Sequence, residues 1–211
     1  MSLPVRRITM PTPYAIGPVN AYLIDGSPAT LIDTGFNSAE AQAAMEAALD
    51  DAGIGVEGLE RILVTHAHPD HYGLVQPLQE RSHATVYFPQ REIRRVKDRQ
   101  MFMEVGRLLV EAGMPLDLLF KMDQRRREEP RPQLKHDEVI PLHGGETFEI
   151  DVSGTTATLE TLHMPGHTGG HVVFFEPTTR TLFAGDELLP DTSPNPLLEP
   201  SLDEPGERRQ S

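Results

Sequence analysis

The chain has 211 residues, 38% apolar and 24% charged, the composition of a soluble globular protein of one large domain or two small ones. It contains no cysteine, which excludes disulfides, thiolate metal ligands and a cysteine nucleophile, and no apolar run approaches the roughly 18 residues that a membrane-spanning helix needs. The net charge of −13 argues against nucleic acid as a partner. The charge is unevenly placed, however. Residues 90–135 hold 12 Lys/Arg against 8 Asp/Glu (+4), and the rest of the chain holds 7 against 24 (−17).

The first residues, "MSLPVRRITMPTPYAIG", carry no hydrophobic core of a secretory signal, so a cytoplasmic location is expected. "NAYLID" (20–25) and "ATLID" (29–33), joined by "GSP", predict a β-hairpin. Asn37, three residues before Glu40, is the expected cap of a helix over residues 38–53, where Ala41, Ala44, Met45, Ala48 and Leu49 recur at helical spacing and Gly53 closes the last turn. "RILVT" (61–65) reads as a buried strand, "YGLVQPLQER" (72–81) as a helix and "ATVYF" (84–88) as a strand. Residues 91–127 interrupt this β-α-β rhythm. Ile93, Val96, Val105, Leu108, Leu109 and Ala112 lie on one helical face, and "PLDLLFKM" predicts another helix after Gly113. The four methionines here (101, 103, 114 and 122) suit packing or an adaptable lid over a pocket. Strands return at 146–152, 156–162, 171–176 and 181–185, and the acidic, proline-rich residues 191–211 read as an extended or frayed tail.

The chemistry concentrates in "LVTHAHPDHYG" (63–73), with three histidines and an aspartate in six consecutive positions. Alternate side chains of an extended chain point the same way, so His66 and His68 face one point. Pro69 turns the chain, and Asp70 and His71 then open a helix and reach a second point nearby. Neutral imidazole and carboxylate are the donors that zinc-like metals prefer. Two later stretches belong with this one. "HMPGHTGGH" places His167 in a glycine-rich turn between strands, and "TLFAGDELL" presents Asp186 just past a strand end, a negative oxygen donor suited to bridging two cations.

"LIDTG" (31–35), "THAHPDH" (65–71), "MPGHTGG" (164–170) and "AGD" (184–186) together resemble the metallo-β-lactamase-fold hydrolases, in order and spacing, across residues 20 to about 190. The resemblance implies an α+β fold, an αββα sandwich of two mixed sheets flanked by helices, formed by residues 1–190 with a helical insertion at about 91–127. It implies that His66, His68 and His167 hold one zinc ion, that Asp70 and His71 hold a second, and that Asp186 bridges them, with iron or manganese as alternatives. Asp33 would bond to ligands or loop backbone, and His171 would either do the same or sit in the core or on a strand surface. His83, His136, His143 and His163 match no motif. The family's further histidine ligand beyond "GD" has no counterpart, because no histidine follows His171. This leads to the expectation of a C-terminally incomplete fold, with an exposed sheet edge that favours homo-oligomers. His143, His171 or a neighbouring chain is the rival source of that ligand.

The activity implied is hydrolysis of an ester, thioester or lactone carbonyl by metal-bound hydroxide, with Asp70 also accepting the proton of the nucleophile. "GPVNAYLI" and the small size resemble the hydroxyacylglutathione hydrolase and lactonase branches, acting on a small-molecule substrate. The alternatives are a phosphodiesterase or nuclease of the same fold, and a metal-binding fragment without activity.

Overall fold

The computed structural model describes residues 3–14, 16–97, 99–128, 134–135, 138–190, 193–194, 198–200 and 208–210. Two β-sheets pack face to face. The first has six strands in chain order: β1 (Val5–Met10), β2 (Val19–Ile24), β3 (Thr30–Ile32), β4 (Arg61–Leu63), β5 (Thr85–Pro89) and β6 (Val139–Leu142). The first three pair antiparallel and the last three join in parallel, so this sheet is mixed.

The second sheet has four strands, β7 (Thr147–Val152), β8 (Thr155–His163), β9 (Val172–Glu176) and β10 (Thr181–Phe183), in the order β10-β9-β8-β7. Its described strands pair antiparallel throughout, where a mixed sheet is expected. The connections explain the difference. Residues 153–154 and 177–180 are tight turns, and a short connection returns the chain antiparallel, whereas a parallel pair needs a long crossover.

The first sheet is apolar on both faces because both are covered. Along β2, Ala21 and Leu23 face the helices, while Tyr22 and Ile24 face the second sheet; Leu31 and Ile32 in β3, and Ile62 and Leu63 in β4, divide the same way. On the helical side lie α1 (Ala39–Asp51), through Ala41, Met45 and Leu49, and α3 (Val75–Ser82), through Val75 and Leu78. Between the sheets, Ile24, Ile32 and Leu63 meet Phe148, Ile150, Leu159, Val172, Phe174 and Phe183. The outer face at β7 is polar, with Thr147, Glu149 and Asp151 exposed. The layers made by the described residues therefore run helix, sheet, sheet.

Several local expectations shift. The cap of α1 is Ser38 rather than Asn37: Ser38 is the extended residue before the first turn, and its hydroxyl accepts the Ala41 N–H at 3.1 Å. The helix expected over 72–81 is α3 (Val75–Ser82), preceded by a separate short helix, α2 (Pro69–Tyr72); Gly73 between them lies against the backbone of Gly35 and Asn37, where no side chain fits. β1 and β6 are strands that the pattern did not reveal, the first carrying two outward arginines and the second a proline. The segment from 90 forms three helices, α4 (Gln90–Lys97), α5 (Arg99–Glu111) and α6 (Leu116–Glu128). On α6, Leu116, Leu118, Phe120 and Met122 are exposed. Within the tail, Leu198–Pro200 (β11) and Arg208–Gln210 (β12) pair as an antiparallel ribbon, so part of it is ordered by pairing. Among the described residues, no helix is long and apolar enough to cross a membrane.

Candidate metal centre

One edge of the sandwich gathers four strand ends. Asp33 follows β3, Thr65 and His66 follow β4, residues 164–171 join β8 to β9, and Asp186 follows β10. Side chains far apart in sequence meet there because loops at one end of a packed sheet pair converge.

Three imidazole nitrogens face one another. His66 Nε2 and His68 Nδ1 are 3.0 Å apart, and His167 Nε2 lies 2.9 Å from the same His68 Nδ1. Nitrogens on a tetrahedral zinc with Zn–N bonds of about 2.0–2.1 Å stand roughly 3.3 Å apart, so the cluster needs to open only slightly to admit an ion. Asp186 completes it: the ligand atoms of His66, His68, His167 and Asp186 all lie within 4.8 Å of one another, with Asp186 Oδ2 at 3.4 Å from His167 Nε2.

The partners behind these rings set their tautomers. Thr65 Oγ1 donates to the Asp33 carboxylate, at 2.9 Å from Oδ2, so it accepts from His66 Nδ1–H at 3.0 Å. That leaves the lone pair of His66 on Nε2, facing the cluster. Asp33 also accepts the Thr65 backbone N–H at 2.8 Å and faces His71 Nδ1 at 2.8 Å. His71 Nε2 consequently points into the site, 3.2 Å from Asp186 Oδ1; it is buried and makes no aligned hydrogen bond. A buried nitrogen in that position suits a cation placed between it and Asp186.

The electrostatics follow. Burial drives the pKa of His66 well below its usual value, and neighbouring histidines add to the effect. Burial does the same for His68, helped by the charge of Arg95. Both rings are therefore neutral, the form that binds metal. Burial also lowers His71, but the carboxylates of Asp33 and Asp186 outweigh it and hold the pKa well above the usual value. Burial opposes ionisation of Asp186, yet the contact with His71 and the charges of His71 and His167 bring its pKa to about 2. Asp70 is buried in the first turn of α2, and burial raises its pKa, while His71, Asp186 and Asp33 lie close enough for their charges to act on it.

His66, His68, His167 and Asp186 thus form one cluster, His71 adjoins it through Asp186, and Asp70 stands beside His71. His171 is fully buried and stacks on His66, with ring centroids 4.7 Å apart. Its Nε2 accepts the Asp186 N–H at 3.3 Å, and burial brings its pKa to about 3. Gly185 makes room for this packing: its φ is +51°, and a Cβ there would lie 2.7 Å from His171 Nε2. His143 is exposed, His83 ends α3 in a left-handed turn, and His163 Nε2–H donates to the Gly169 carbonyl at 3.1 Å, beneath the His167 loop. His136 lies outside the described residues.

Two glutamates escaped the sequence reading. Glu187 Oε1 accepts the His167 N–H at 2.8 Å. Glu92, fully buried on α4, accepts backbone N–H groups from two ligand-bearing loops. Glu187 adjoins the "GD" motif, a signal that could have found it; Glu92, in the arginine-rich "QREIRR", looks like one more solvated helix charge.

Comparison with known proteins agrees with this geometry. The family model described as "Metallo-beta-lactamase superfamily" matches residues 15–207. The probable metallo-hydrolase YqjP of Bacillus subtilis (strain 168) is 30% identical over 197 residues, 91% of this chain and 59% of that protein. A hydroxyacylglutathione hydrolase of Pseudomonas putida (strain W619) is 32% identical over 133 residues, 62% of this chain and 34% of its own length. Among solved structures, the metallo-beta-lactamase family protein TTHA1429 from Thermus thermophilus superposes with a TM-score of 0.74 at 32% identity, over 90% of this chain and 62% of that one. The chain spans about three fifths or less of the length of these relatives. With the family model covering nearly the whole chain and the histidine cluster assembled at the sheet edge, the chain belongs to the metallo-beta-lactamase superfamily.

Proposed function

We propose that this chain is a metal-dependent hydrolase that cleaves an ester, thioester or lactone carbonyl at a two-zinc centre. The observation that carries the reading is the convergence of the imidazoles of His66, His68 and His167, with Asp186 alongside. The donor set is all nitrogen and oxygen, which suits zinc and also iron or manganese. In this assignment His66, His68 and His167 would hold the first ion and Asp70 and His71 the second, with Asp186 available to both. When bound, two such cations lower the pKa of a shared water toward neutrality and polarise the substrate carbonyl.

The protein groups place and discharge protons around that chemistry. Asp33 accepts from His71 Nδ1–H and Thr65 from His66 Nδ1–H, so His66 presents its lone pair to the metal side, and His71 would do so once a cation displaced its Nε2 proton. Asp70, buried in the first turn of α2 beside His71, is the carboxylate that would accept the proton when water attacks. Of the six residues, His68 and Asp186 are partly exposed, so a small-molecule substrate enters past them. The P. putida relative favours a thioester, and the +4 charge of residues 90–135 favours an anionic one.

The same basic segment favours a second reading, a phosphodiesterase. A third reading is metal binding without turnover. Zinc content, measured beside hydrolysis of a hydroxyacylglutathione thioester, a lactone and a structured RNA, separates them. Two zinc equivalents with thioester or lactone turnover that disappears in His66→Ala supports the carbonyl hydrolase. RNA cleavage lost in the same variant supports the phosphodiesterase, and zinc uptake without turnover of any of the three supports the binding protein.

A further inference from the structure

The carboxylate of Glu92 stands where two loops from opposite sheets meet. Its Oε2 accepts the N–H of Ala67, the residue between His66 and His68, at 3.2 Å. Its Oε1 accepts the N–H of Gly170, three residues after His167, at 2.8 Å. Arg95 Nε–H, one turn along α4, donates to Oε2 at 3.1 Å and balances the buried charge. The approach to Gly170 is close: a Cβ there would lie 2.6 Å from Glu92 Oε1 and 2.8 Å from its Cγ. One rigid carboxylate therefore ties the loop that follows β4 in the first sheet to the loop that precedes β9 in the second.

We propose that Glu92 is a positioning residue: it fixes the spacing between the His66–His68 pair and His167, and so sets the affinity of the first metal site without touching the ion. The inference rests on the metal-site reading above and adds a role for the helical segment. A carboxylate can accept from both loops at once, because each oxygen is an acceptor. A carboxamide cannot, since its NH₂ meets either one loop amide or the Arg95 guanidinium, donor against donor. Through Glu92 the α4 helix is joined to the centre, so displacement of α4 is felt as a change in ligand spacing.

The test compares wild type, Glu92→Gln and Gly170→Ala. The second variant disturbs the same contact from the other side and leaves the carboxylate in place. Zinc affinity is read by competition with a chromophoric chelator, ligand geometry by the visible spectrum of the cobalt(II) form, and loop order by amide exchange of the metal-free protein. The inference expects zinc affinity to fall about 10–100-fold in both variants, an altered cobalt spectrum, and faster exchange around residues 67 and 170. Lowered melting temperatures with zinc affinity within about twofold of wild type, well short of that 10–100-fold range, and an unchanged cobalt spectrum would overturn it, since that is the signature of a merely structural contact. If Glu92→Gln does not fold, Gly170→Ala decides. A wild-type chain that takes up neither zinc nor cobalt sinks the metal-site reading itself, and metal-free exchange still decides whether Glu92 holds the loops.

Discussion

Asp33 Oδ2 and His71 Nδ1 meet at 2.8 Å with both side chains almost wholly buried. The contact directs the Nδ1–H of His71 to Asp33, and so turns Nε2 toward Asp186. Replacing Asp33 by Asn turns an obligate acceptor into a group whose NH₂ can donate to Nδ1, which moves the ring proton to Nε2 and blocks the metal-facing lone pair. Asp33→Asn is therefore expected to weaken binding of the second metal equivalent about 10–100-fold, read as a second phase lost from an isothermal zinc titration. Two unchanged equivalents would refute the role given to Asp33.

Acid stability of the metal-free protein follows from four histidines. His66, His68 and His171 have pKa values below the ordinary 6.5. The unfolded chain takes up protons first at these positions, so each contributes stability that is present above about pH 6.5 and lost as the pH falls. His71 has the opposite sign: its raised pKa contributes stability that is present below about pH 6.5 and lost as the pH rises through the folded value. Three against one gives a melting temperature that falls between about pH 7.5 and about pH 5 in chelator-treated protein. A melting temperature that rises over that interval would contradict the assignment of neutral, buried rings.

Metal removal should be visible in stability as well as activity. A ligand present at 100 times its dissociation constant stabilises the folded state by about 2.7 kcal/mol. For a chain of this size, 1 kcal/mol moves the melting temperature by about 2–4 °C. Treatment with EDTA is therefore expected to lower the melting temperature by roughly 5–10 °C, and returning zinc should restore it. An unchanged thermogram would argue that no metal is held at the sheet edge.

Two phenylalanines separate core from surface. Phe174 is fully buried between the sheets against Phe148, whereas Phe120 on α6 is 63% exposed. Phe174→Ala is expected to cost about 3–5 kcal/mol in urea unfolding, through lost transfer energy and a residual cavity. Phe120→Ala should stay within about 0.5 kcal/mol. A large loss at Phe120 would show that α6 buries its apolar face against something in solution.

The candidate metal ligands were legible because coordination chemistry limits the choice of side chain. "THAHPDH" and "MPGHTGG" carry donors whose chemistry survives any detail of packing, so His66, His68 and His167 stood out before any geometry was known. Strand and helix faces were legible where residue type and spacing agreed, as in α1, which buries Ala41, Met45 and Leu49, and in β4, which falls inside the expected strand over 61–65. β6 and the antiparallel second sheet were hidden, since pairing partners are chosen between segments and leave no mark within either one.

The amino-acid order alone determined the donor inventory: nine histidines, no cysteine, and carboxylates at 70 and 186 placed beside the histidine motifs. Only the tertiary structure decided which nitrogen of each ring faces inward, that His171 lies beneath His66, and that a glutamate from an arginine-rich helix spans both ligand loops. The physical reason is that a side chain's chemistry is local, whereas its tautomer, pKa and hydrogen-bond partners depend on what the fold brings within about 3 Å of it.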